Sequence, residues 1–197
     1  MGGEPLLHPL INYIIEFARL KFSKTEITVL TNGLLLNSMS GDFWYTCKDN
    51  NVRVAMSYYP IDTYVHTAAV KIKAKTFGVK FKEFSGAKTF ERTINIKGNS
   101  DPQKAINFCR GDIAKLCPIL FNGRLYHCSL TAFVHIFNNH FKKNIPQPDG
   151  IDITDSDMYD DRLLSILSKP CETCRFCLTE SVPTTWGLSK KDIKEWI

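Results

Sequence analysis

Apolar residues recur at helical spacing over residues 9–22, where Leu10, Ile11, Ile14, Ile15, Ala18 and Leu20 carry the pattern and Pro9 suits a first turn. Residues 27–30 are a short β-branched run bounded by the turn-forming Asn32-Gly33, which predicts a strand. Ser40 or Asp42 caps a predicted helix through Phe43, Trp44 and Cys47, ending at Asp49-Asn50-Asn51. Residues 52–58 read as a second strand stopped by Pro60. Asp62 then caps a helix with an apolar face of Val65, Ala68, Ala69 and Ile72, closed by Gly78, and residues 79–81 open a third strand. Helices and strands alternating at this spacing predict an α/β fold with a parallel sheet and crossover helices over residues 1–84.

The rhythm changes over residues 85–197, which predict a smaller α+β domain. Residues 88–97 look extended, and Asn99-Ser100-Asp101-Pro102 begins a short helix leading to Cys109. Residues 117–121 and 124–128 flank Asn122-Gly123, the strongest hairpin signal in the chain. Residues 130–141 predict a helix with Phe133, Val134, Phe137 and Phe141 on one face. Residues 144–157, rich in Pro and Asp, read as a loop, and residues 163–167 as a helix ended by Ser168-Lys169-Pro170. Ser189 caps a last short helix carrying Ile193, Trp196 and Ile197.

Composition narrows the classes. The net charge of +5 is mild, and lysines such as Lys71, Lys73, Lys75, Lys80 and Lys82 are dispersed among apolar residues as on a solvated face. No nucleic-acid partner is expected from them. The first helix is interrupted by Asn12, Glu16, Arg19 and Lys21, too polar and too short to span a membrane, and no secretory signal precedes it. Seven cysteines without such a signal argue for metal binding in a reducing cytoplasm over a disulfide framework. Cys47 stands apart and reads as a small buried apolar residue.

The other six cysteines carry the candidate chemistry. Cys171, Cys174 and Cys177 recur at every third position after Lys169-Pro170, while Cys109, Cys117 and Cys128 lie upstream around the predicted hairpin. Thiolates bind soft metals, and loops and hairpins let several converge on one centre. An iron–sulfur cluster accounts for a cysteine-only set with a surplus. A four-cysteine zinc site is the alternative, although zinc favours two Cys-x-x-Cys knuckles and only the C-terminal half supplies one. A thioredoxin-like pair fits poorly, because the motif follows a Pro-terminated loop and opens no helix after a strand. His127 points away from Cys128 if this segment is a strand, as a surface histidine would.

Gly2-Gly3-Glu4-Pro5, followed by a helix, a strand ending in Thr31-Asn32-Gly33 and another ending in Tyr58-Tyr59-Pro60, resembles the Gly-Gly-Glu-Pro region of radical S-adenosylmethionine enzymes. The pattern Gly123-x4-Cys128 with Cys174-x-x-Cys177 resembles that superfamily's SPASM or twitch auxiliary-cluster extension. The resemblance implies a partial (β/α) barrel at 1–84 and an auxiliary [4Fe-4S] domain at 85–197. It implies Gly2, Gly3 and Glu4 at the amino group of S-adenosylmethionine, a carboxylate pairing with an ammonium beside permissive glycines. Four of Cys109, Cys117, Cys128, Cys174 and Cys177 would hold the cluster, with Cys109 at the upstream position or Cys117 in its place. Cys171 is then the spare. Hydrogen abstraction from an unidentified peptide or small molecule, with an electron-donor protein as partner, is the oxidoreductase activity implied for the intact family form. Tyr58 and Tyr59 are candidates to line the barrel mouth.

One departure matters. The sequence contains no Cys-x3-Cys-x2-Cys loop, which holds the S-adenosylmethionine-cleaving cluster in that family. The expectation is an N-terminally truncated form unable to generate the radical, with an uncovered helix face that favours self-association. The contrasting expectation is a non-catalytic iron–sulfur or zinc module for electron transfer or partner binding.

Overall fold

The structure, a computed structural model, describes residues 3–57, 67–84, 89–109, 117–154 and 160–197. Gly2, Tyr58, Tyr59, Pro60, Asp62, Val65 and Lys88 lie outside the described residues. The fold is mixed α/β and divides into two compact units, Gly3–Lys88 and Thr89–Ile197.

The first unit holds a parallel three-stranded sheet of β1 (Thr28–Thr31), β2 (Arg53–Ser57) and β3 (Phe81–Phe84), in that order. Its register sets Val29 opposite Val54 and Val54 opposite Phe81. Before each strand runs one helix: α1 (Ile11–Lys21), α2 (Gly41–Asp49) and α3 (Thr67–Phe77). Side chains alternate across a strand, so Val29, Val54 and Met56 share a face. They pack with Ile15, Phe43, Trp44, Cys47, Val70 and Ala74 from the three helices. The edge-on Phe43–Trp44 pair sits at the centre of this core, and both rings are buried. Cys47 is fully buried among them.

Helix α3 buries a different face from the one expected. Val70 and Ala74 enter the core, while Ala68, Ala69 and Ile72 face outward. The stretch is apolar on several sides, so spacing alone is ambiguous. Phe77, stacked on Trp44 at 6.2 Å, continues the Val70–Ala74 row and fixes which side turns inward. Ser40 takes the N-cap position of α2 without a side-chain capping bond.

The second unit is built from short pieces. Hairpin strands β5 (Ile119–Phe121) and β6 (Arg124–Tyr126) pair antiparallel around Asn122 and Gly123, both at positive φ as a tight primed turn requires. Helix α4 (Pro102–Phe108) is capped by Asp101, which accepts a bond from the Lys104 amide. Helix α5 (Ser129–Phe141) buries Thr131, Ala132, Val134 and Phe137, and α6 (Asp160–Ser168) follows. Two pairings lie beyond the sequence reading. Strand β4 (Thr89–Glu91) pairs with β8 (Pro183–Thr185), and β7 (Ile151–Asp152), inside the expected loop, adds a third strand to the hairpin. Ile94, Val134, Phe137 and Ile145 form the core, with Phe176, Ile193 and Ile197 packed against it. The last helix is a 3-10 turn, Ile193–Glu195, capped by Asp192; Ser189 instead donates to the Glu195 carboxylate.

Among the described residues no helix is long and apolar enough to cross a membrane.

Candidate metal centre

Three local structures deliver cysteines to one region of the second unit. Cys109 follows the last turn of α4, its amide bonded back to Ala105 and Ile106. Cys128 is the N-cap of α5. Its amide donates to Thr131 Oγ1 at 3.1 Å, and its thiol lies 3.8 Å from the same oxygen. Buried Thr131 therefore fixes the backbone and side chain of Cys128 together. Cys171 caps a 3-10 turn, Glu172–Phe176, whose amides at Cys174 and Cys177 bond to the carbonyls of Cys171 and Cys174. Helix α4 packs against this turn.

The cysteine turn is tied down on two sides. Buried Thr173 donates to the Pro146 carbonyl at 2.9 Å. Cys177 forms an antiparallel bridge with Ile94, flanked by bonds from Asn95 to Phe176 and from Leu178 to Thr93. Gly98, at φ +64°, lies flat against the Phe176 ring, where a Cβ would stand 2.5 Å from it. Only a glycine allows this approach. The spacing of the cysteines announces the turn; its clamp on residues 93–100 has no local signal.

The electrostatics record the convergence. Burial pushes the Cys177 thiol up to about 12, and the neighbouring Cys128, Cys109 and Cys171 thiolates push the same way. Cys171 and Cys174 lie 3.8 Å apart, sulfur to sulfur. The bond from Cys174 lowers the Cys171 pKa against the opposing effect of burial, and the charge of His127 lowers it further. The Cys174 pKa is shifted upward by the same bond, by burial and by the charges of Cys171 and Cys177.

Of the expected set, Cys109 and Cys128 each act on Cys177 and Cys177 acts on Cys174, and Cys171, expected as the spare, acts on both Cys174 and Cys177. Cys117 lies exposed at the head of the hairpin. His127 is half-buried beside Cys171, with Nε2 3.1 Å from the Ile166 carbonyl oxygen. Among the described residues, no three His, Cys, Asp or Glu side chains are drawn tightly enough to hold a metal ion as placed. The arrangement is a gathering of thiols around a half-buried sulfur, short of a finished coordination shell. Its donor chemistry, all soft sulfur, fits iron–sulfur or zinc.

In the first unit, Gly3 takes φ +82° and Glu4 is engaged. One Glu4 oxygen accepts from the Leu6 amide at 3.1 Å and the Thr31 hydroxyl at 2.6 Å, the other from the Asn32 amide at 2.9 Å. Thr31 in turn accepts from the Gly33 amide. The Gly-Glu-Pro segment is thereby fastened to the C-terminal end of β1.

No protein-family model matches the chain, and no curated protein matches it.

Proposed function

We propose that the Thr89–Ile197 unit holds an iron–sulfur cluster on cysteine thiolates, as the auxiliary-cluster part of a protein resembling radical S-adenosylmethionine enzymes. The observation that supports this reading is that exposed Cys109 and half-buried Cys128 and Cys171 lie near enough to half-buried Cys177 to raise its pKa. Cys109, Cys128, Cys174 and Cys177 would supply the thiolates, with Cys171 available to replace one. Bound there, a cluster supplies a one-electron redox centre whose potential depends on burial and on hydrogen bonds to sulfur. The chain's own contribution is orientation: Thr131 sets Cys128, Thr173 anchors the cysteine turn, and His127 stands beside Cys171.

The first unit supports the same reading. Consecutive parallel strands with every helix packed on one face follow the winding of a (β/α) barrel; a doubly wound sheet covers both faces. An ionised carboxylate offers about four acceptor positions. Glu4 uses three of them internally, which leaves one for the ammonium of S-adenosylmethionine. Hydrogen abstraction from a peptide or small molecule is proposed only for a form that also supplies a Cys-x3-Cys-x2-Cys loop.

A single zinc ion is the second reading, carried by one distance. Tetrahedral zinc–thiolate bonds of about 2.3 Å place neighbouring sulfurs about 3.8 Å apart, which matches the Cys171–Cys174 separation of 3.8 Å. Anaerobic purification of the full chain with iron, acid-labile sulfide and zinc analysis separates the two. A brown protein with stoichiometric iron and sulfide is expected. A colourless protein with one tightly held zinc overturns the iron–sulfur reading, and a protein retaining neither overturns both.

A further inference from the structure

Helix α1 is apolar on two opposite sides. Ile15 and Ile11 face the core. On the other side Leu10, Tyr13, Ile14, Phe17 and Leu20, three or four residues apart, are 58%, 61%, 43%, 47% and 75% exposed. A helix apolar all round is ordinarily buried all round, and residues at this spacing form one stripe. Tyr13 and Phe17 stack with centroids 6.1 Å apart, and Lys21 lies over the Phe17 ring at 5.5 Å. Exposed Leu7 and Phe22 extend the stripe at its two ends.

Its size points to an occupant. The stripe presents roughly 600–900 Å² of accessible surface, against about 800 Å² per partner in a stable interface and about 300–600 Å² for the largest patch on a typical monomer. Helix α1 packs on α2 and α2 on α3, so α1 lies at the β1 end of the unit. Among the described residues β1 is paired only with β2, and an unpaired edge strand is a template for another chain.

We infer that this surface docks a second copy of the same chain, α1 packing antiparallel on α1 across a two-fold axis, the arrangement in which one patch serves both partners. Phe17 and Leu20 are its centre. Sedimentation of the full chain over a range of concentrations tests this, with Phe17→Glu and Leu20→Lys as interface variants and Ile72→Glu, on the exposed side of α3, as the control. The expected result is a reversible dimer whose dissociation constant rises at least about tenfold in either interface variant and is unchanged in the control, with circular dichroism reporting an intact fold in all three. A monomer at every concentration, its α1 face left to some other polypeptide, overturns the inference. So does a polydisperse aggregate, or an Ile72→Glu effect equal to that of Phe17→Glu.

Discussion

Cys177 is the residue on which the candidate centre turns, because the burial of its sulfur and three neighbouring thiols raise its pKa together. Replacing it removes the common point of the group. Cys177→Ala is expected to purify with almost no metal under conditions where Cys117→Ala keeps its full complement, as elemental analysis would show. Cys171→Ala, which removes the spare, is expected to keep as much metal as Cys117→Ala; a content well below it would make Cys171, 3.8 Å from Cys174, a ligand in its own right. Cys47 tests a different property of a thiol. Burial alone raises its pKa from 9.0 to about 12. Its folded pKa lies above the unfolded one, so the stabilisation it gives is complete below the ordinary thiol range and is lost as pH rises toward about 12. Urea midpoints of the first unit should therefore decline across that alkaline window. Cys47→Ala flattens the decline while costing about 1 kcal/mol at neutral pH through the small cavity it leaves.

At the scale of elements, what was legible followed locality. The helices around Ile15 and Phe43, the three parallel strands, the Asn122-Gly123 hairpin and the Asp101 cap each announce themselves within a few residues. Strands β7 and β8 do not. They are two and three residues long, and their pairing is decided by distant partners, Arg124–Leu125 and Thr89–Glu91. The candidate site divides in the same way: the cysteine spacings are visible, whereas the bridge from Cys177 to Ile94 joins residues far apart in sequence. Gly98 belongs to that hidden part. Gly98→Ala combines a positive φ with a collision against Phe176, inside the cysteine turn. It should lower metal retention severalfold while leaving the helical circular dichroism of the first unit unchanged; a variant with wild-type metal content would show the turn to be more compliant than its packing implies. Glu4→Gln examines the other fastening. Glutamine presents an amide donor to one of the donors at Thr31, Leu6 or Asn32, leaving an unsatisfied pair that costs about 1–3 kcal/mol. Trp44 fluorescence during urea unfolding reads this directly when Trp186 and Trp196 are replaced by Phe.

For the whole molecule, two separate cores mean two cooperative units, one around Trp44 and Phe43, the other around Phe137 and Ile145. Metal can stabilise only the unit that binds it, by mass action on the folded form. Removing it with a chelator is expected to lower the unfolding midpoint reported by Trp196, which packs near Phe137, and to leave the Trp44 transition where it was. A common shift of both would mean that the two units unfold as one.

The β4–β8 pairing and the Ile94–Cys177 bridge also set an order in time. Strand β4 and the Cys109 helix leave the ribosome well before β8 and Cys177, the partners that close the unit over them. Until that stretch emerges, Cys109 and Cys128 stand without the cysteine turn beside which they are found in the folded unit. On the proposed cluster reading, loading would follow synthesis of residue 177, and a nascent chain stalled before it would present Cys109 and Cys128 without Cys174 and Cys177.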